Sequence, residues 1–448
     1  MIVFYLLISL MPMDQDPFWG TFLGAGTLVK YVGLVCTVYA MFHLLVRRAP
    51  PRYMGTIQAP LFLLFFLLSS TSYWLLGPHF SLRASAFISY LSMVFLFFVV
   101  LTVVDTLKRL RWLLLTAIGA MGFTSLIIFR EWMRDPMWRP GSISGDANYF
   151  ALNLCLVFPV ALLVVLRSRV LWERLFALGC VIAMIVANTL GASRGGVFAL
   201  GASVLFLVWN SPRRLRNFTV IAILVLPPAL LFPSSPVRRL LHPQASDVTG
   251  EVARLTAWKA GLRMIQQHPL TGIGLAEFKV EMPQYAGQPH MQPSIAHNTY
   301  IEIASECGML TLLVFVAMLF FTHRNLGKVR RKAAESGSPL VDLAAFGLQS
   351  GLIGYYVGAV FLSAEYQKLF WLWLFLAMAL PSLCESPAGQ QQEAAVYAPE
   401  PAWKGAVADG VRGRGVGKRL PAPATSGYAM APEKVRQLAR HPGAVRKA

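Results

Sequence analysis

Three side chains stand out as able to do chemistry together: Arg194, Arg254 and His297. A guanidinium is charged at every physiological pH and donates two parallel hydrogen bonds, so arginines suit a phosphate-bearing anion. An imidazole accepts a hydroxyl proton near neutral pH. Asn298, Glu302 and Glu306 follow His297 at four-residue steps, which puts an amide and two carboxylates on one helix face. Glu302 or Glu306 could orient His297 or pair with an arginine, and helix-to-helix bonding is the alternative. Asp146 and Asn148 form a second polar pair in Gly145-Asp146-Ala147-Asn148-Tyr149-Phe150. Gly272 and Gly274, in His268-Pro269-Leu270-Thr271-Gly272-Ile273-Gly274, make either a plain turn or a phosphate-cradling loop. Asp14-Gln15-Asp16 is an acidic pair of the kind that holds divalent cations, but a helix N-terminus also welcomes acids. No metal site and no cofactor is expected. Cys36, Cys155, Cys180, Cys307 and Cys384 lie in or beside apolar stretches without ligand spacing and read as small buried hydrophobes.

The elements that position these residues are membrane spans. In 448 residues, 56% of side chains are hydrophobic and 14% charged, against about a quarter charged in soluble chains. That excludes a large soluble catalytic domain. A span needs about 20 apolar residues, and such runs fall near 21–46, 57–76, 84–104, 112–129, 149–166, 175–193, 195–209, 217–232, 299–322, 341–363 and 367–383. A shorter run, 1–11, is taken as a first span, so the expectation is an all-α polytopic membrane protein with about 12 transmembrane helices. Nine of them occupy 1–232, one large outer-face loop occupies 233–298, three more occupy 299–384, and 385–448 reads as a disordered basic cytoplasmic tail.

Lys and Arg total 40 against 21 Asp and Glu, a net charge of +19. In a soluble protein this would suggest nucleic acid; here it reflects cytoplasmic loops and anionic lipid, and no nucleic-acid partner is expected. Basic loops around Arg47, Lys108, Arg167, Arg213 and Arg324 alternate strictly with poorer ones. Segments 14–20, 77–83, 130–147, 191–194, 233–298 and 364–366 therefore face outward, and Asp146, Asn148, Arg194, His297 and Asn298 all sit at outer helix ends, able to face one cavity. Within the long loop, Val252, Leu255, Trp258, Leu262 and Ile265 recur at helical spacing. They predict an amphipathic helix near the membrane interface, with Arg254 on the edge of the apolar stripe. A surface ion pair is the alternative for Arg254. No internal repeat is apparent, which weakens a solute or lipid transporter built from symmetrical halves.

The ordered set Gly145-Asp146-Ala147-Asn148-Tyr149-Phe150-Ala151, Ser193-Arg194-Gly195-Gly196, Arg254 to Met264, His268-Pro269-Leu270 with Gly272 and Gly274, and His297-Asn298-Thr299-Tyr300 with Glu306 resembles the O-antigen ligase and polymerase superfamily of bacterial envelope polysaccharide assembly. The resemblance covers about residues 145–320. One departure is Asp146-Ala147-Asn148, where members commonly have Asp-Pro-Asn. The resemblance implies a multi-pass enzyme of the bacterial cytoplasmic (inner) membrane with its active site on the periplasmic face. It would move a glycan from an undecaprenyl-diphosphate carrier to an acceptor hydroxyl on lipid A core or a growing polysaccharide, with inversion at the anomeric carbon. Arg194 and Arg254 would grip the diphosphate and His297 would handle the acceptor proton. Asp146, Asn148, Asn298, Glu306, Gly272 and Gly274 would support them. Protein O-oligosaccharyl transfer uses the same motif set and stays open as an alternative.

Overall fold

The computed structural model describes residues 1–13, 28–46, 56–75, 80–135, 146–212, 214–231, 245–384 and 396–397. The described residues are helical, with no strand beyond one isolated bridge between Ser168 and Tyr397. In chain order the helices are α1 (Ile2–Leu10), α2 (Leu28–Val46), α3 (Gln58–Leu75), α4 (Phe80–Val103), α5 (Leu107–Arg134), α6 (Ala147–Arg167), α7 (Leu171–Leu190), α8 (Arg194–Trp209) and α9 (Arg214–Leu231). Then follow α10 (Ala245–Gln267), α11 (Phe278–Tyr285), α12 (Thr299–Cys307), α13 (Met309–Ser336), α14 (Pro339–Gly358) and α15 (Lys368–Leu383).

A helix occupies each apolar run read from the sequence, but only 7 of the described helices are long and apolar enough to cross a membrane: α2, α4, α5, α6, α7, α13 and α14. The apolar helices 2–13, α8 and α15 are shorter. The expected span over 299–322 is corrected to two helices. Gly308 breaks it with φ +86°, and a Cβ there would lie 2.1 Å from the Leu270 carbonyl oxygen. The carbonyl of Pro269 accepts from the Met309 N–H at 2.8 Å, so the loop before α11 is what enters the break. The basic residues 324–332, read as a loop, continue α13 as helix.

Small residues hold the centre of the bundle together, as expected where lipid removes the hydrophobic drive between helices. In α14, Gly351 and Gly354 press on backbone: a Cβ would come within 2.5 Å of the Leu156 oxygen on α6 and 2.6 Å of the Ala199 oxygen on α8. These contacts bring the first turns of α6 and α8 to the end of α14. Around α15 the core is aromatic, with Phe370 stacked on Tyr355 at 4.0 Å and Trp371 beside Phe62 and Phe65.

The two ends of the bundle differ in chemistry. At one end, Arg111 pairs with Glu173 and Arg167 with Asp342, each at 2.7 Å, and Arg330 approaches Asp342 at 3.5 Å. Arg330 also lies 3.7 Å from the Phe346 ring centre, a cation–π arrangement. Two residues of the expected tail dock here. Tyr397 is 1% exposed with its hydroxyl 3.2 Å from Glu173, and the Arg169 N–H donates to the Val396 carbonyl at 2.7 Å. To that extent the structureless reading of 385–448 is corrected; the remainder of that stretch lies outside the described residues. The opposite end, where α6, α8 and α15 begin and α7 and α14 finish, carries the candidate chemistry.

Candidate functional site

Three capped helix N-termini build the site. Asp146 caps α6, its carboxylate accepting from the Asn148 N–H at 2.6 Å. Ser193 caps α8: its oxygen accepts from the Gly196 N–H at 3.0 Å and its hydroxyl donates to Asn148 Oδ1 at 2.7 Å, which ties the two ends together. The pair can approach so closely because Gly196 has no side chain; a Cβ would meet that of Ala151 at 2.3 Å. Asn298 caps α12, accepting from the Tyr300 and Ile301 N–H groups at 3.0 and 3.1 Å.

The segment after α14 joins the third end to the first two. The Thr299 N–H donates to the carbonyls of Ala359 and Leu362, and the Tyr149 hydroxyl donates to the Ser363 carbonyl at 2.9 Å. The resulting recess is lined by Asn148, Ser193, Gly195, Gly196, Arg254 and Phe361 among others. Each N-terminus contributes partial positive charge, roughly 0.3–1 kcal/mol apiece towards an anion at an exposed site.

Arg194 and Arg254 enter this region from different elements. Arg194 opens α8 and pairs with Glu251 of α10 at 2.5 Å, three residues before Arg254. Burial pushes the pKa of Arg254 down, and neighbouring Arg194 lowers it further, while Asp146 and Glu251 oppose. Among the described residues, the ion pair shown at this site is made by Arg194.

His297 belongs to the same electrostatic neighbourhood. Burial first and Arg254 second lower its pKa from 6.5, with Asp146 acting the other way. Its backbone sits in the left-handed region at φ +49°, unusual for a residue with a side chain. Residue 296 is gripped on both sides to hold that conformation. Trp258 Nε1 donates to the Ala296 carbonyl at 2.9 Å, and Glu302 Oε2 accepts from the Ala296 N–H at 3.3 Å. Glu302 also accepts from the Ser363 hydroxyl. His297 Nδ1 is buried and has no hydrogen-bond partner among the described residues, so neither Glu302 nor Glu306 orients the ring through that nitrogen.

Glu306, Gly272 and Gly274 gather elsewhere, around the break at Gly308. The amides of Gly272, Ile273 and Gly274 donate to the carbonyls of His268, Ser305 and Glu306 at 3.0, 2.8 and 3.1 Å. Those N–H groups are spent on backbone, so of the two sequence alternatives the structure shows a packed turn. Gly272 (φ +70°) lies against the Glu306 backbone, where a Cβ would be 2.3 Å away. The Glu306 carboxylate holds the N–H groups of Phe278 (3.2 Å) and Ala276, and Ser72 donates to its carbonyl at 2.8 Å. Asp14 and Asp16 lie outside the described residues.

The helix carrying Arg254 forms. Val252, Leu255 and Leu262 are more than half exposed, and Ala257, Ala260 and Met264 pack against Phe278 and Met282. Sequence reading missed Glu251 and the roles of Ser193, Trp258 and Ser363. The serine had a legible signal, a capping residue directly before a helix; Ser363 had none, since it reaches Glu302 from 61 residues away.

Residues 179–316 match the sequence model of the family described as O-antigen ligase. A Rickettsia felis protein provisionally named a polysaccharide ligase is 24% identical over 210 residues, 44% of this chain. The aligned part spans 47% of that relative, about half its length. Arg194, Arg254, Gly272, Gly274, His297, Asn298 and Glu306 fall inside the family match, and Asp146 and Asn148 precede it. Over residues 179–316 the chain carries the sequence pattern of the O-antigen ligase family.

Proposed function

We propose that the chain is a membrane glycosyltransferase that moves a glycan from an undecaprenyl-diphosphate carrier to an acceptor hydroxyl, on lipid A core or a growing polysaccharide. In this reading the site faces the periplasm across the bacterial inner membrane, opposite the basic end of the bundle, as the positive-inside rule requires. The observation that carries the proposal is the setting of Arg194 and Arg254 as electrostatic neighbours, half-buried, at the meeting of capped helix N-termini. Two guanidiniums held close repel each other, and Glu251 and Asp146 oppose this. A diphosphate completes the balance with geometry that arginine forks match.

His297 then acts on the acceptor. Its lowered pKa keeps the imidazole neutral at neutral pH, the form that can take the hydroxyl proton as oxygen attacks the anomeric carbon. The carrier diphosphate leaves with the bonding electrons, and charge growing on it is met by the two arginines. One displacement inverts the anomeric centre. Asp146, Asn148 and Asn298 shape the site by fixing helix starts, and Glu306, Gly272 and Gly274 by fixing the loop at the break.

In vitro transfer from a purified undecaprenyl-diphosphate-linked glycan tests this. His297→Ala should cost ~10² to 10⁴-fold in rate while donor binding survives, and Arg254→Lys should weaken donor binding because an ammonium lacks the bidentate fork. Full activity in His297→Ala removes the base assignment. Activity abolished by chelator and restored by a divalent ion transfers the charge-stabilising role from the arginines to a metal, with Asp14 and Asp16 the first residues to substitute.

A further inference from the structure

A second recess lies away from the site just described and shares none of its lining residues. It is bounded by α1, α2, α4 and the start of α15 and opens to one side, with about 920 Å³ of space counting its open mouth. Its walls are apolar, with Leu7, Met11, Leu34 and Phe95 among them. The hydroxyls that line it face their own helices: Thr37 donates to the Gly33 carbonyl (2.8 Å), Ser89 to Ser85 (3.0 Å) and Ser92 to Ser89 (2.6 Å). Among the described residues the charged groups on its wall are two ammoniums, Lys30 in the first turn of α2 and Lys368 at the first position of α15.

The length of the lining fits one acyl chain. Along α4 the lining runs from Ile88 to Val99, which at ~1.5 Å per residue is roughly 16 Å, about half of a ~30 Å hydrocarbon core. Lys30 and Lys368 line the recess together with these walls, so positive charge and apolar surface meet in one place. We infer that this recess holds an acyl chain of an anionic glycerophospholipid, with its phosphate between Lys30 and Lys368.

Native mass spectrometry of the full chain, released from micelles holding equimolar phosphatidylglycerol and phosphatidylcholine, reads the inference directly. Two near-surface lysines should give roughly a ten- to thirty-fold excess of retained phosphatidylglycerol, and Lys30→Gln with Lys368→Gln should abolish it. Gly33→Phe keeps both charges and fills the recess from a position whose Cβ has space, 3.8 Å from Leu7 Cδ1, so total lipid retention should fall. No preference in the wild type, or an unchanged preference in the double variant, overturns the assignment. So does displacement of phosphatidylglycerol by an equal concentration of undecaprenyl phosphate, which would make this a carrier site. Glycan transfer is not the readout, so failure here is separate from failure of the proposed function.

Discussion

At the scale of single residues, the proximity of Arg254 to His297 links substrate binding to proton transfer. The cation that would hold the donor also helps keep the imidazole unprotonated, and Asp146 pulls the other way. A neutral base is active above its pKa and lost as pH falls through it, so the acid limb of the rate profile should lie below 6.5. Asp146→Asn removes the influence that raises the pKa and should move that limb to lower pH; asparagine still caps a helix, so α6 should keep its start. A pH–rate profile with the limb unmoved, or moved upward, would count against His297 as the titrating base. Trp258→Phe tests positioning in the same way. Losing the Nε1 bond to Ala296, about 0.5–1.5 kcal/mol net, should lower kcat roughly 2- to 10-fold with KM little changed, and without shifting the pH limb. The chemistry of these side chains was legible from type and spacing. Their partners were not, because Glu251, Trp258 and Ser363 act through contacts that only the folded chain creates.

The elements show which parts of a membrane fold hydropathy can and cannot reveal. Long uncharged runs located the helices, since backbone groups in hydrocarbon must be satisfied within the helix. The break at Gly308 was missed because one glycine in or beside an apolar run is common, although Glu302 and Glu306 before it marked a change of character. On α10, Val252, Leu255 and Leu262 of the apolar stripe stay exposed while Ala257 and Ala260 pack on protein, because large apolar residues need not point at protein where lipid is near. Gly308→Ala should be severe, combining a positive-φ extended backbone (φ +86°, ψ 165°) that is essentially confined to glycine (~1–3 kcal/mol) with collision against the Leu270 carbonyl. Gly337→Ala, at φ +67° with nothing within 4 Å of the added carbon, should show the backbone cost alone. Thermal unfolding in detergent compares the two, and equal losses would mean that the packed turn contributes little.

For the whole molecule, the alternation of basic and poor loops agrees with the two chemically distinct ends of the bundle, Arg111, Arg167 and Arg330 gathering opposite to Arg194, Arg254 and His297. Reporters fused after Arg111 or Arg174 should therefore report cytoplasm and one inserted near Gln288 the outside. A cytoplasmic signal at Gln288 would set the site against the nucleotide-sugar pool and remove the need for a lipid carrier. Truncation after Tyr397 should leave transfer intact, whereas truncation from Glu393 also removes the buried tyrosine and its bond to Glu173 and should lower thermal stability. Equal stability of the two truncations would show that the docking of Tyr397 is idle. The segment 359–363 that closes the recess has a further consequence, in time rather than in space. Residues 146 to 298 reach the membrane well before the Ala359 and Leu362 carbonyls that receive Thr299, and before the α14 glycines that draw α6 and α8 together. During synthesis, then, the two arginines and the histidine are inserted early but stay unassembled until the penultimate apolar helix has emerged from the ribosome and docked, so a nascent chain stalled before Gly358 would carry every proposed reacting residue and still be inert.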